Sequence, residues 1–177
     1  TRPITKHNYL VRSVEELLTV IPKAFQLAAS GRPGPVAIDV PKDLQFKKIE
    51  VTEWPEPGGR LPAKGADDAV IDQMVDIINQ SKRPMFYIGG GIIHAGAAET
   101  VRRIAEKASI PTTSTLMGLG AIPSNHPLFM GMLGMHAARY TNMALDECDL
   151  LIAAGVRFDD RATGKVAQFC SHARIIH

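Results

Sequence analysis

The chain has 177 residues, enough for one full hydrophobic core and part of a second. Its 20 lysines and arginines stand against 18 aspartates and glutamates, and a net charge of +2 spread without runs gives no case for a nucleic-acid or membrane surface. With 45% hydrophobic and 6% aromatic residues, and no apolar run near the ~20 residues a membrane helix needs, it reads as an ordinary soluble α/β protein.

The N-terminal T-R-P-I-T-K-H lacks the apolar core of a signal peptide. There is no initiator Met, and the chain stops at A-R-I-I-H, the opening of a β-branched strand, so it reads as a fragment. Cys148 and Cys170 show no metal-like spacing and read as reduced, buried thiols.

In chain order, residues 1–12 read as extended, with Tyr9, Leu10 and Val11 as a short strand. Ser13 and Glu16 form an S-x-x-E capping box, followed at helical spacing by Val14, Leu17, Leu18, Ile21, Phe25 and Ala28. Pro22 should kink or split this helix, and Gly31 is placed to end it. After the R-P-G-P turn, P-V-A-I-D-V at 35–40 reads as a buried strand. Residues 41–65 change character, with the proline- and glycine-rich W-P-E-P-G-G-R-L-P marking a linker and domain boundary. The division is 1–45, the tail of one domain; 46–65, the linker; and 66–177, a second domain.

From Ala66 onward strands and helices alternate. Ala69 to Ile78 spaces its apolar residues as a helix ending near Ser81, and Pro84 to Ile88 is a strand closed by Gly89, Gly90 and Gly91. Ala97 to Ala108 reads as a helix and Ile110 to Thr115 as a strand. A long loop with Pro123 and Pro127 then leads to a helix near 137–147, a strand over 149–154 and the start of another at Arg174. This alternation predicts an α/β fold, a doubly wound parallel sheet with helices on both faces, preceded by a short helix–strand tail.

Glycines cluster where such a sheet would present the carboxyl ends of its strands, the place where open α/β sheets bind ligands. The pieces are T-L-M-G-L-G at 115–120, G-M-L-G-M-H at 131–136 and G-V-R-F-D-D-R at 155–161. Near them His136, Arg157 and Arg161 suit a polyanionic ligand. Each also has a plainer reading. Gly89-Gly90-Gly91 follows a strand and precedes a helix, where backbone N–H groups can hold phosphate, but it is not G-x-G-x-x-G and reads equally as a tight turn. Leu116 and Met117, taken alone, read as core residues, His136 as a structural histidine and Arg32 as a turn residue. Arg157, two residues past a buried strand, can fork onto pyrophosphate or pair with Asp159 or Asp160. Those adjacent carboxylates lack a third oxygen ligand at sensible spacing, so no metal site is expected. No catalytic nucleophile set can be assembled.

These three motifs, with K-H-N-Y-L-V at 6–11, S-G-R-P-G-P-V at 30–36, V-P-K-D at 40–43 and G-G-G at 89–91, occur in one order along nearly the whole chain. Together they closely resemble the acetohydroxyacid synthase (acetolactate synthase) family, large catalytic subunit. That family uses thiamine diphosphate, Mg²⁺ and FAD. The resemblance implies that 1–45 ends a pyrimidine-binding domain and that 66–177 is most of a central FAD-binding domain. It implies FAD contact by Arg32 from the first domain and by Gly89, Gly90 and Gly91. It implies the same for Thr115, Leu116 and Met117, for Leu133, Gly134, Met135 and His136, and for Gly155, Arg157, Asp159 and Asp160. Lys42, Met135, Asp160 and Arg161 would border the substrate channel, where inhibitors bind. Ala137 stands where the family usually has glycine.

The motif for thiamine diphosphate and Mg²⁺, G-D-G followed by Asn, is absent, so the resemblance gives this segment no catalytic residue. The implied parent condenses pyruvate with pyruvate or 2-oxobutanoate in branched-chain amino acid synthesis. It would be a homodimer or homotetramer, with or without a small regulatory subunit, cytoplasmic in bacteria and organellar in eukaryotes. A related thiamine diphosphate enzyme, such as glyoxylate carboligase or pyruvate oxidase, or a non-catalytic nucleotide-binding module are the alternatives.

Overall fold

The structure, a computed structural model, describes residues 1–59, 62 and 65–177. The chain falls into two compact units, Thr1–Gly65 and Ala66–His177. The linker reading over 46–65 includes positions 60, 61, 63 and 64, which lie outside the described residues.

In the first unit β1 (His7–Leu10) pairs in parallel with β2 (Val36–Asp39), in register from His7↔Val36 to Leu10↔Asp39. Val11 lies just past β1 but its N–H still donates to Asp39 O at 3.0 Å, and its side chain is buried with Val14 and Leu44. Residues 2–4 form a 3₁₀ turn, so the amino-terminal stretch is not extended throughout. Helix α1 (Leu17–Ala29) starts three residues later than the apolar pattern suggested. The capping box is displaced too: Glu16 Oε2 accepts from Arg12 N at 2.7 Å rather than from Ser13.

Pro22 does not split α1, which runs through it to Ala29. Near the helix start few backbone N–H groups have intrahelical partners to lose, and position six is only just beyond that tolerance. Gly31 follows the C-cap residue Ser30 with φ +49°, the left-handed conformation expected of a helix terminator. β2 is half-buried rather than buried, because its three apolar residues share a two-stranded sheet with modest cover. Pro41 then starts a short helix, α2 (Lys42–Gln45), that buries Leu44.

The second unit begins with α3 (Asp68–Gln80), which ends at Ser81 as the sequence indicates. There follow β3 (Pro84–Ile88), α4 (Gly90–His94), α5 (Ala98–Ala108) and β4 (Thr112–Ser114). The long loop contains a strand that the sequence reading missed, β5 (Phe129–Met132). The rest is α6 (Arg139–Glu147), β6 (Leu150–Ala154), a single-turn α7 (Asp160–Thr163) and β7 (Arg174–Ile176). β5 escapes notice because Gly131, at φ +77°, interrupts its apolar run and its pairing with β4 is irregular between Thr112 and Ser114.

All five strands are parallel, in the order β5-β4-β3-β6-β7. Two connections run outward from β3 in one direction, and the chain then returns to the other side of β3 to lay down β6 and β7. This is a doubly wound sheet. Alternate residues of β3 and β6 face opposite layers. Phe86, Ile88 and Ile152 pack with Ile92, Val101 and Ala105 from α4 and α5, while Met85, Tyr87 and Leu151 pack with Leu145 and Phe169 on the opposite face. Both faces are covered, as the sequence predicts.

One carboxylate ties the amino end of β6 to the turn before β3. Asp149 accepts from Lys82 N at 2.8 Å and Arg83 N at 3.0 Å, and also from the Ser81 hydroxyl. Those donors hold its carboxyl below the ordinary range, the Ser81 bond contributing most.

Candidate ligand site at the sheet switch point

The strand order reverses between β3 and β6, and the carboxyl edge at such a reversal is where open α/β sheets bind ligands. Gly89 N donates to Ala154 O and Gly91 N to Gly155 O, both at 3.0 Å, stitching the two turns together. The backbones are too close for side chains. A Cβ on Gly89 would lie 2.3 Å from Gly155 O, and one on Gly155, which has φ +65°, would lie 2.6 Å from Ile92 N. The glycine triplet is therefore a tight structural turn that also starts α4, and the amides of Gly89 and Gly91 are committed to it.

A third turn follows β4. Thr115 N donates to Ile88 O at 2.9 Å, and Thr115 Oγ1 caps the following 3₁₀ turn by accepting from Gly118 N at 3.1 Å. A Cβ on Gly118 would sit 2.8 Å from Ile88 O, and one on Gly90 would be 3.0 Å from Met117 Cβ. This turn projects Leu116 and Met117 outward, 68% and 69% exposed, so the unaided reading of both as core residues is wrong. Two large apolar side chains thus stand exposed beside closely packed glycine turns.

From β5, Leu133 turns its side chain into the core and its N–H to Ser114 O at 3.2 Å. Gly134 has φ +88° and packs so closely on α7 that a Cβ would meet Arg161 O at 2.5 Å, while Met135 N donates to that same carbonyl at 3.3 Å. The Asn142 side chain brackets Gly134, accepting from its N–H at 3.2 Å and donating to its carbonyl at 3.1 Å. Met135 and His136 are exposed. G-M-L-G-M-H and D-D-R, separate in sequence, are thus one surface.

Asp159 caps α7, its Oδ1 accepting from Ala162 N at 3.2 Å, and its Oδ2 lies 3.5 Å from Arg157 Nη2. Arg157 makes the acidic contact anticipated as its plainer reading, yet stays 63% exposed. Arg161 and Asp160 approach to 4.0 Å and are more exposed still. Between Arg157 and Asp159, Phe158 takes φ +50° and turns its ring inward, edge-on to Tyr87 at 5.6 Å and to Phe169 at 6.1 Å. Tyr87 is fully buried and its hydroxyl has no hydrogen-bond partner among the described residues. Burial, with the Asp159 charge nearby, pushes its phenol up to about 12.

Arg32 and Lys42 belong to the first unit and are both exposed. That unit has its own apolar groove of about 840 Å³, lined by Ile21, Phe25, Trp54 and their neighbours. Among the described residues no cluster of three or more His, Cys, Asp or Glu side chains could hold a metal ion, and no helix is long and apolar enough to cross a membrane. Gly118, Asn142 and Tyr87 are contributors to the site region that the sequence reading did not single out. Gly118 lay inside a motif already noted, whereas nothing in the sequence marks Asn142 or Tyr87.

A five-stranded parallel sheet that reverses its strand order beside β3, with helices on both faces, is a doubly wound α/β domain. Residues 71–177 match the family model for the thiamine pyrophosphate enzyme central domain, and the chain belongs to that family. Over nearly all of its length it is similar to acetolactate synthase large subunits. It is 54% identical over 175 residues to the isozyme 1 large subunit of Escherichia coli (strain K12), covering 99% of this chain and 31% of that protein. Against the chloroplastic acetolactate synthase 1 of Zea mays the identity is 49% over 183 residues, 100% of this chain and 28% of the relative. Against the large subunit of Parasynechococcus marenigrum (strain WH8102) it is 47% over 185 residues, 100% of this chain and 29% of the relative. The chain thus spans about a third of the length of these relatives.

Proposed function

We propose that this chain is the FAD-holding portion of an acetolactate synthase large subunit, with residues 1–45 closing a pyrimidine-binding domain, 46–65 a linker and 66–177 the central domain. One observation carries the flavin reading. The closely packed glycine turns after β3 and β6 are flanked by the exposed apolar side chains of Leu116 and Met117 and the exposed cation of Arg157. FAD has matching parts, an aromatic ring system and a pyrophosphate.

In this reading Arg157 forks onto the pyrophosphate. Leu116, Met117 and Met135 pack on the ring system, with His136 at its edge. Gly89, Gly91, Gly134 and Gly155 contribute chiefly by keeping the backbone walls thin, and Leu133 by supporting its wall from the core. Thr115 and Asp159 fix the turns that carry Met117 and Arg157. The family resemblance assigns Arg32 to the same cofactor, and Lys42, Met135, Asp160 and Arg161 to the substrate channel.

Thiamine diphosphate with Mg²⁺, held by the rest of the parent protein, supplies the chemistry that decarboxylates pyruvate and joins the product to pyruvate or 2-oxobutanoate. This is the shared early step toward valine, leucine and isoleucine. The segment described here orients and shields; it contributes no catalytic group, and alone it is inactive because the reacting groups must be positioned together. The parent assembles as a homodimer or homotetramer, with a regulatory subunit in some settings, in the bacterial cytoplasm or in an organelle.

The test is a titration of the purified chain into FAD, followed by flavin fluorescence, with ADP and NAD as competitors. Saturable quenching that ADP reverses only at much higher concentration supports the reading. Equal competition by the nucleotides favours a generic nucleotide module. If the complete parent polypeptide also ignores FAD, the reading falls.

A further inference from the structure

Helices α3 and α5 each keep an exposed row of side chains that the proposed function leaves unused. Both pack on the same side of the central sheet, since Met74, Ile77 and Ile78 of α3 and Val101 and Ala105 of α5 share one core cluster. Beside its core-facing residues, α3 carries Asp68, Ile71, Asp72 and Val75 at three- and four-residue spacing, which sets them in a line along the helix. All four are exposed, Ile71 at 44% and Val75 at 46%. α5 carries Thr100, Arg103, Ile104 and Lys107 at the same spacing, again all exposed, with Ile104 at 43%. These four residues of α5 border a surface depression.

The two rows have opposite charge. α3 contains Asp68, Asp72 and Asp76 and no lysine or arginine. On α5 the carboxylates are already engaged: Glu99 lies 2.6 Å from Arg102 Nη2, and Glu106 lies 3.7 Å from Arg102 Nε and 3.1 Å from His126 Nε2. Arg103, Lys107, Asp68 and Asp72 form no ion pair among the described residues. Each row thus combines aliphatic side chains with charge that its own chain leaves unpaired, and the other row supplies the opposite sign. A patch that contains both halves is self-complementary about a two-fold axis. We propose that the outer faces of α3 and α5 are a self-association surface, on which a second copy of this chain sets its α3 row against α5 and receives the first copy's α3 on its own α5. Ile71 and Val75 lose water against Ile104 there, while Asp68 and Asp72 meet Arg103 and Lys107.

Apolar and charged groups divide the work. Removing the aliphatic side chains from water supplies the attraction. The charges select the partner and fix the register, because any arrangement that sets α3 on α3 or α5 on α5 brings like charges face to face. Two short helices from each copy make a small interface, so the association is weak, with a Kd of about 10–100 μM. Neither row includes a residue of the proposed flavin site, and the inference stands apart from that reading.

Sedimentation equilibrium of the 177-residue chain, up to about 500 μM, should show a monomer–dimer equilibrium. Reversing the acidic row, with Asp68→Lys and Asp72→Lys together, sets like charges against each other in both halves of the interface. Reversing the basic row, with Arg103→Glu and Lys107→Glu together, does the same. Each double variant should weaken dimerisation by about tenfold or more. Mixing the two reversed variants should restore the dimer, because both halves of a mixed pair again join opposite charges. Asp72→Ala and Lys107→Ala only remove charge and should weaken dimerisation about twofold to fivefold; they decide the case if a reversed variant melts early. A wild-type chain that stays monomeric, assemblies larger than a dimer, self-association that charge reversal or removal leaves unchanged, or a mixture of folded reversed variants that stays monomeric would overturn the proposal.

Discussion

Arg157 Nη2 lies 3.5 Å from Asp159 Oδ2 across the inward-turned Phe158, with the guanidinium largely in solvent and the carboxylate partly so. An exposed pair of this kind contributes about 0–1 kcal/mol. The guanidinium is therefore held in place cheaply and released cheaply to a stronger anion. Asp159 is doubly committed, since it also caps α7.

Replacing Arg157 should therefore separate binding from stability. Arg157→Ala should weaken flavin binding by about tenfold to a hundredfold, the loss of charge-assisted hydrogen bonds worth roughly 1.5–3 kcal/mol, while thermal stability changes by less than about 0.5 kcal/mol. Arg157→Lys should keep the charge and lose the fork, falling between the two. Fluorescence titration and thermal melts on the same samples check this. A variant that melts early and binds normally would reassign Arg157 to structure.

Gly155 should be among the least replaceable glycines in the second unit. Its φ of +65° disfavours any L side chain, and a Cβ would be pressed within 2.6–2.8 Å of backbone atoms of Gly91 and Ile92 that cannot swing aside. Gly155→Ala should cost about 3 kcal/mol or more and force the two turns apart. Gly31 offers the control, with φ +49° and nothing within 4 Å of the position a Cβ would take, so Gly31→Ala should cost only about 1–2 kcal/mol. Denaturant unfolding distinguishes the two, and equal costs would show that the packing of the two turns relaxes.

The contrast bears on what the sequence could convey. β3 and β6 were legible because each is a short apolar run with sharp boundaries, Pro84 to Gly89 and Asp149 to Gly155. β5 was not, because a glycine in left-handed backbone and a register irregularity break its pattern. The glycines themselves advertised a crowded strand edge. Which turns crowd one another depends on strand order, and no local pattern carries that, so Gly89 and Gly91 read as phosphate donors as readily as packing residues. Leu116 and Met117 misled in the other direction: apolar side chains suggest a core, and only the 3₁₀ turn, capped by Thr115, shows that they point out.

Tyr87 makes a different kind of prediction, because its buried hydroxyl has no partner among the described residues. Tyr87→Phe removes an unsatisfied polar atom while keeping the ring packed on Phe158, so stability should be unchanged or rise by about 1 kcal/mol. The pH dependence follows from a phenol raised from 10.0 to about 12. The folded state holds its proton longer than the unfolded chain does. The stabilisation is complete below pH 10 and is lost as pH rises toward 12. Wild type should lose stability faster than Tyr87→Phe across that window in alkaline melts. Parallel curves would mean that the phenol ionises as readily in the folded state as in the unfolded chain.

Asp149 carries the opposite sign. Its carboxylate receives the Ser81 hydroxyl and the N–H groups of Lys82 and Arg83, so its folded value lies below the ordinary 3.8. The unfolded chain therefore takes up the proton first as pH falls. The stabilisation is present in full above about pH 4 and is withdrawn as pH drops through the folded value. Asp149→Ala leaves three donors without their acceptor and should cost about 2–3 kcal/mol near neutrality. That deficit should shrink steadily below pH 4, because the wild type loses the same interaction by protonation. Asp149→Asn, which keeps one accepting oxygen, should cost less, and without a titrating group at this position it should itself lose no stability there on acidification. Urea unfolding of all three proteins from pH 7 to pH 3 tests the point, since a deficit independent of pH would place the role of Asp149 in packing rather than in its charge.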